Sequence, residues 1–191
     1  MKFMVVIGLV LTRAMAAQTA PDTNDVAFMQ GMIAHHAQAL AMVALIPSHT
    51  SRQEIQLIGE RIKISQQDEI ALMKHWLQDH KAPVTVVDSN HIAHMPGMEG
   101  MTMMMPGMLT PEQMTQLAQA KGPAFDRLFL EGMIRHHQGA IAMVKDLFAI
   151  PGAGQAPEVF TFASGADADQ RAEILRMRSV LNAITNGGSK S

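Results

Sequence analysis

GMIAHHAQALAMV at residues 31–43 recurs as GMIRHHQGAIAMV at residues 132–144, and this repetition decides how the chain is organised. Aligned from Asp25 on Asp126, the copies share Phe28 with Phe129, Gly31 with Gly132, Met32 with Met133, an Ile-x-His-His run, and Met42 with Met143. The register continues with a slightly larger offset: Glu54, Gln66, Glu69, Met73 and Leu77 meet Glu158, Gln170, Glu173, Met177 and Leu181. Residues 25–77 and 126–181 therefore read as one duplicated unit.

The period inside each copy is helical. At about 100° per residue, Phe28, Met29, Met32, His35, His36, Met42 and Val43 share one arc, so both histidines flank an inward face. The first helix is expected from Asp25 to Ile46, stopping before Pro47. Ser51 with Glu54 forms a capping-box pattern for a second helix reaching Asp79. Its apolar stripe is interrupted by Gln66 and Glu69, and buried polar groups need partners. Glu69 can orient a histidine of the neighbouring helix or bind a metal itself; Glu173 holds the same place in the second copy. Thr110, Pro111 and Gln113 open a short helix to Ala120. Long helices over 124–148 and 157–184 then repeat the first pair. The only strand signal is VTVV at 84–87. Two hairpins, each apolar on one face, bury those faces best against each other, predicting an all-α, antiparallel four-helix bundle with a long crossover.

The 191 residues are 48% hydrophobic, enough for one core, and the formal net charge of −2 includes no basic block for a phosphate backbone. Nucleic acid is thus excluded as an expected partner. Residues 1–17 have the form of an export signal: Lys2, an apolar run from Phe3 to Leu11, and Ala14-Met15-Ala16 as a small-x-small cleavage site. The apolar run is far shorter than the ~20 residues of a membrane span. The expected organisation is a signal peptide at 1–17 and a single duplicated domain at 18–191. The domain comprises repeat A at 25–79, a Met/His-rich linker at 80–123 and repeat B at 124–185. A periplasmic or secreted location follows, with no membrane span after cleavage.

The chain has no Cys but 18 Met and 9 His. Thiolate chemistry and disulfides are excluded. Thioether and imidazole together suit Cu(I), with Ag(I) and Cu(II) as further candidates, whereas hard cations prefer oxygen. Met29, Met32, His35 and His36 stand at i+3 and i+4 spacings that let side chains converge, and Met42 lies two turns beyond His35. Met133, His136, His137 and Met143 repeat the set. Between the copies, periodicity gives way to a loop punctuated by Pro and Gly whose apolar residues are nearly all Met. It carries His91, His94, Met95, Met98, Met101, Met103, Met104, Met105 and Met108.

Blander roles exist for single residues. Met73 and Met177 read as core filler, and His49, His75 and His80 as ordinary. No HExxH, phosphate loop, GxSxG or Glu-x-x-His pair is present, so no enzyme is expected. The alternatives to soft-metal binding are a His/Glu dimetal bundle for iron, manganese or zinc, acting in oxidation or storage, and a partner-binding module without metal.

The repeated M-I-x-H-H-x-x-A-x-x-M-V, the Q-x-x-E-I-x-x-M that follows, and MPGM before a T-P-E-Q helix resemble the exported bacterial family known as domain of unknown function 305, which has CopM-like copper-binding members and is grouped with ferritin-like bundles. The resemblance covers about 25–181. It implies a periplasmic or secreted ferritin-like bundle binding Cu(I) or Ag(I) through Met and His, in copper homeostasis or resistance, by sequestration or hand-over to other copper-handling proteins. Matched by position, its ligands fall on Met32, His35, His36 and Met42 and on Met133, His136, His137 and Met143.

Overall fold

The computed structural model describes residues 21–97 and 104–187, so the leader at 1–17 and Met98, Met101 and Met103 lie outside the described residues. The chain is mostly helical. The elements run α1 (Thr23–Ala44), α2 (Ile46–His49), α3 (Gln53–Asp79), β1 (Val86–Val87), β2 (Ala93–His94), α4 (Pro111–Gln119), α5 (Gly122–Ala149) and α6 (Pro157–Gly187). The strands form a small antiparallel hairpin with Val86 opposite His94, at the end of the run expected to be extended.

Several helix boundaries differ from expectation by a few residues. α1 starts earlier because the Asp22 carboxylate accepts the Asn24 N–H at 2.7 Å, and it ends at Ala44. The chain then enters α2 with Pro47 in the first turn, where a missing N–H costs nothing. The Ser51–Glu54 capping box does not form. α3 begins after Arg52, with no side-chain cap, because the Arg52 guanidinium is drawn to Asp126 at 2.7 Å. The Thr110–Gln113 box does form, with bonds of 3.2 and 3.0 Å.

The helices meet in an antiparallel sense. A Cβ at Gly31 would lie 3.5 Å from the Met143 Cε and one at Gly132 would lie 3.3 Å from the Met42 Cε, so α1 and α5 run opposite ways. α3 returns along α1, with Gly59 against Ile46 and Glu69 against His36. The paired aspartates tie the hairpins together. Asp25 accepts the Gly154 N–H at 2.6 Å in the α5–α6 turn, and Asp126 accepts from Arg52 in the α2–α3 connection, each carboxylate holding the other hairpin's turn.

The core falls into two apolar clusters. One gathers Phe28, Met32, Met73, Leu77, Val144 and Phe162; the other gathers Met42, Ile58, Ile62, Phe129, Met133 and Met177. On every long helix the polar interruption sits between residues of the two clusters: His35 and His36 on α1, Gln66 and Glu69 on α3, His136 and His137 on α5, Gln170 and Glu173 on α6. A polar layer thus crosses the middle of the core. The stretch Thr23–His49 has the length and apolarity of a membrane span, but 72% of its most apolar window is buried inside the fold, as in a core helix.

Candidate metal centre

All four histidines of the layer are buried, with exposures of 0 to 1%. Each His-His pair is adjacent on its helix, so the two rings of a pair diverge, with centroids 6.3 Å apart in both copies. The close approach is between copies: the His35 and His136 rings face one another with centroids 3.8 Å apart. The antiparallel crossing of α1 and α5 therefore places one histidine from each repeat in the centre and one, His36 or His137, to either side.

The ring nitrogens have different partners. His35 Nε2 lies 3.0 Å from the Pro106 carbonyl, an acceptor only, so Nε2 carries the hydrogen and Nδ1 of the neutral ring keeps its lone pair. His36 Nε2 pairs with Glu69 Oε2 at 2.5 Å, leaving Nδ1 without a partner. Neither ring nitrogen of His136 has a well-formed hydrogen bond. Among the described residues, every partnerless buried side-chain polar atom except Trp76 Nε1 and Asp126 Oδ1 belongs to this layer. Native interiors rarely leave such atoms unmet, and here they concentrate at one level of the core.

Electrostatics keeps the rings of His35, His136 and His137 neutral. Burial, reinforced by the neighbouring His36, lowers the His35 pKa to about 3. His137 is lowered to about 3 by burial and then by His36 and His35. His136 is pushed well below the usual imidazole range by burial and by His35, His137 and His36. Neutral imidazole is the form that binds a metal. Glu173 is pushed up, chiefly by burial, although its Oε1 faces Arg176 at 3.1 Å and Arg61 at 3.7 Å.

Sulfur lies beside the nitrogens. The turn Met105-Pro106-Gly107-Met108 runs over the α1–α5 seam, and a Cβ at Gly31 would stand 3.4 Å from the Met105 Sδ. The turn is closed by Met108 N–H to Met105 O at 3.2 Å and by Met105 N–H to Met108 Sδ at 3.4 Å. Met105, Met108 and Met143 are half-buried and Met104 is exposed. Met29, Met32, Met42 and Met133 are fully buried in the apolar clusters, on the faces that also carry the histidines. His94 is exposed on the hairpin and pairs with Asp88 at 3.4 Å. His91 lines a separate groove of about 470 Å³ beside Leu40, Gly59, Lys63 and Gln67. Met95 is half-buried in the loop after the hairpin.

Two residues that hold this centre had no signal of their own. Gln38 receives the Leu109 N–H at 2.7 Å and donates to the Leu109 carbonyl at 2.9 Å. Gly139, its counterpart in the second copy, lets the Pro106-Gly107 backbone rest on α5. The mismatch between the aligned copies at this position was the available clue. Among the described residues, His, Asp and Glu do not by themselves gather into a group of three able to hold a metal.

Among solved structures, a DUF305 fragment from Deinococcus radiodurans superposes with a TM-score of 0.70 at 28% identity, covering 85% of this chain and 97% of that one. A secreted DUF305 protein from Streptomyces coelicolor has a TM-score of 0.70 at 26% identity, covering 85% and 94%. CopM in its Cu(I)-bound form matches with a TM-score of 0.61 at 25% identity over 83% of this chain and 95% of that one, and Cu(II)-bound and Ag-bound forms of CopM match comparably. No curated protein matches the chain. With residues 25–181 matched by the model for the domain of unknown function DUF305, the chain belongs to that family.

Proposed function

We propose that this is an exported Cu(I)- and Ag(I)-binding protein that sequesters or hands over the ion through imidazole and thioether, and that it is not an enzyme. The observation that carries the reading is the buried pair His35 and His136, neutral, in close tilted contact between the repeats, with His35 Nδ1 and both His136 nitrogens lacking well-formed bonds and the Met105 sulfur seated one turn away on Gly31. Similarity to CopM, which has been crystallised with Cu(I), Cu(II) and silver, supports the same chemistry. In this reading His35, His36, His136 and His137 supply nitrogen. Met105, Met108 and Met143 supply sulfur at the seam, and Met29, Met32, Met42 and Met133 line the flanks. Glu69 orients His36, and Glu173 stands in the equivalent place in the second copy.

The architecture that belongs to this proposal is an antiparallel four-helix bundle of the ferritin-like kind, formed as one duplicated domain. The periplasm is the compartment, and other copper-handling proteins are the partners. The His/Glu dimetal reading gains no support from the carboxylates. Glu69 is engaged by His36, and Glu173 faces two arginines. Anaerobic titration with Cu(I), Ag(I), Zn(II) and Fe(II), read by native mass spectrometry, tests the assignment. Retention of Cu(I) and Ag(I) is expected; retention of only Zn(II) or Fe(II), lost on Glu69→Gln with Glu173→Gln, would replace it with the dimetal reading.

A further inference from the structure

The seat of the Met105–Met108 turn has three points, and the two outer ones, Gln38 and Gly139, are not soft-metal donors. At one end the Gln38 side-chain amide makes two bonds with the Leu109 backbone, at 2.7 and 2.9 Å, as a neighbouring strand would. In the middle the Pro106 carbonyl meets His35 Nε2 at 3.0 Å. On the α5 side, backbone rests on backbone: a Cβ at Gly139 would fall 1.8 Å from the Pro106 oxygen and 2.8 Å from the Gly107 Cα. Gly107 has φ of +78°, and a Cβ there would fall 2.4 Å from the Arg135 carbonyl oxygen. The turn cannot lie this low over the seam with any larger residue at 139 or 107.

The duplication shows why these positions matter. Gln38 and Gly139 occupy the same place in the two copies, inside a stretch where most neighbours are identical. A single turn laid across two related helices cannot contact both alike. One copy grips it, and the other makes room. The shared glycines nearby show the complementary case: Gly31 seats Met105, and Gly132 seats Leu109 at 3.3 Å from where its Cβ would be.

Resting on the soft-metal reading above, we infer that Gln38 and Gly139 are positioning residues that seat the Met105–Met108 turn on the histidine pair and thereby set the sulfur share of the coordination. Gly139 has no side chain and the Gln38 amide is a poor ligand for Cu(I), so either residue acts on the metal only by placing the turn. The consequence is separable from stability. Loosening the seat leaves the imidazoles in place and removes thioether.

The test compares wild type with Gly139→Ala, Gln38→Leu and the double variant Met105→Leu/Met108→Leu. In the metal-free proteins, amide exchange at Leu109 should quicken at least tenfold in Gly139→Ala and Gln38→Leu, while the helical signal is retained. With Cu(I) bound anaerobically, X-ray absorption should show fewer sulfur neighbours in both seat variants, approaching the double variant, with the nitrogen neighbours kept and affinity lowered about tenfold or more. Gln38→Leu carries the test if Gly139→Ala does not fold. Wild-type sulfur coordination and affinity in a folded seat variant would overturn the inference while leaving the copper reading intact. Failure of the wild-type protein to retain Cu(I) would remove both.

Discussion

The two copies of the His-His helix differ less in sequence than in what their rings bind. In the first copy each histidine has a protein partner: Pro106 for His35 and Glu69 for His36. In the second, His136 has only the His35 backbone near it and no well-formed hydrogen bond, and the carboxylate equivalent to Glu69 turns towards Arg61 and Arg176. One half of the layer is thus fixed in tautomer and orientation, and the other is left with free valence. Duplication supplied two equivalent half-sites. The single Met turn, which leans on His35 and passes over Gly139, made them unequal.

The largest effect expected from this contrast is acid sensitivity, because it acts on both halves together. His35, His136 and His137 hold fewer protons folded than unfolded below about pH 6.5, the ordinary imidazole value. Stability therefore falls as pH drops from there towards the lowered folded values, about 3 for His35 and His137, by about 1.4 kcal/mol per pH unit for each ring that charges on unfolding. Glu173, raised by burial, works in the opposite sense and offsets part of the loss. Urea unfolding of the metal-free protein at pH 7, 6 and 5 should show the midpoint dropping steadily; a flat profile would mean the layer is hydrated rather than dry.

A smaller effect separates the copies directly. His36→Leu leaves the Glu69 carboxylate without its partner and should cost about 2 kcal/mol. His136→Leu removes a buried ring without a well-formed hydrogen bond and should raise stability by about 1 kcal/mol while weakening the proposed Cu(I) binding. Equal losses from both substitutions would break the comparison. Smallest is the difference between the paired aspartates. Asp126→Asn loses a charge-assisted bond from Arg52, whereas Asp25→Asn keeps a side-chain oxygen for the Gly154 N–H and relieves a carboxylate whose pKa burial has raised. Asp126→Asn should be the worse by about 1 kcal/mol in chemical denaturation.

Most of the helical frame was legible because it is local. The period of Phe28, Met32, His36 and Val43, and the breakers at Pro47 and Pro151-Gly152, set helix faces and ends within a turn. So was the capping box at Thr110, which closes within four residues. Ser51–Glu54 has the same pattern and failed, because Asp126, far away in sequence, fixes Arg52 between them. The layer of His and Glu could be foreseen from the interrupted stripes. The close contact of His35 with His136 could not, since it depends on the level at which α1 and α5 cross. Gln38 read as an ordinary helical amide until the Leu109 backbone lay beside it, and the groove around His91 arises from three separate helices and the hairpin loop.

The reciprocal aspartates also bear on how the chain reaches its fold. Asp25, in the first turn of the first helix, is secured by a backbone group 129 positions later, and Asp126 is matched by an arginine that precedes it by 74. Each turn has local backbone bonds of its own, but its buried carboxylate contact comes from the other hairpin. Closing such long separations is slow compared with forming local helix, so each half waits for the other and the structure sets late. For a chain made from its N-terminus, the tie closes only once the last long helix is available to receive it.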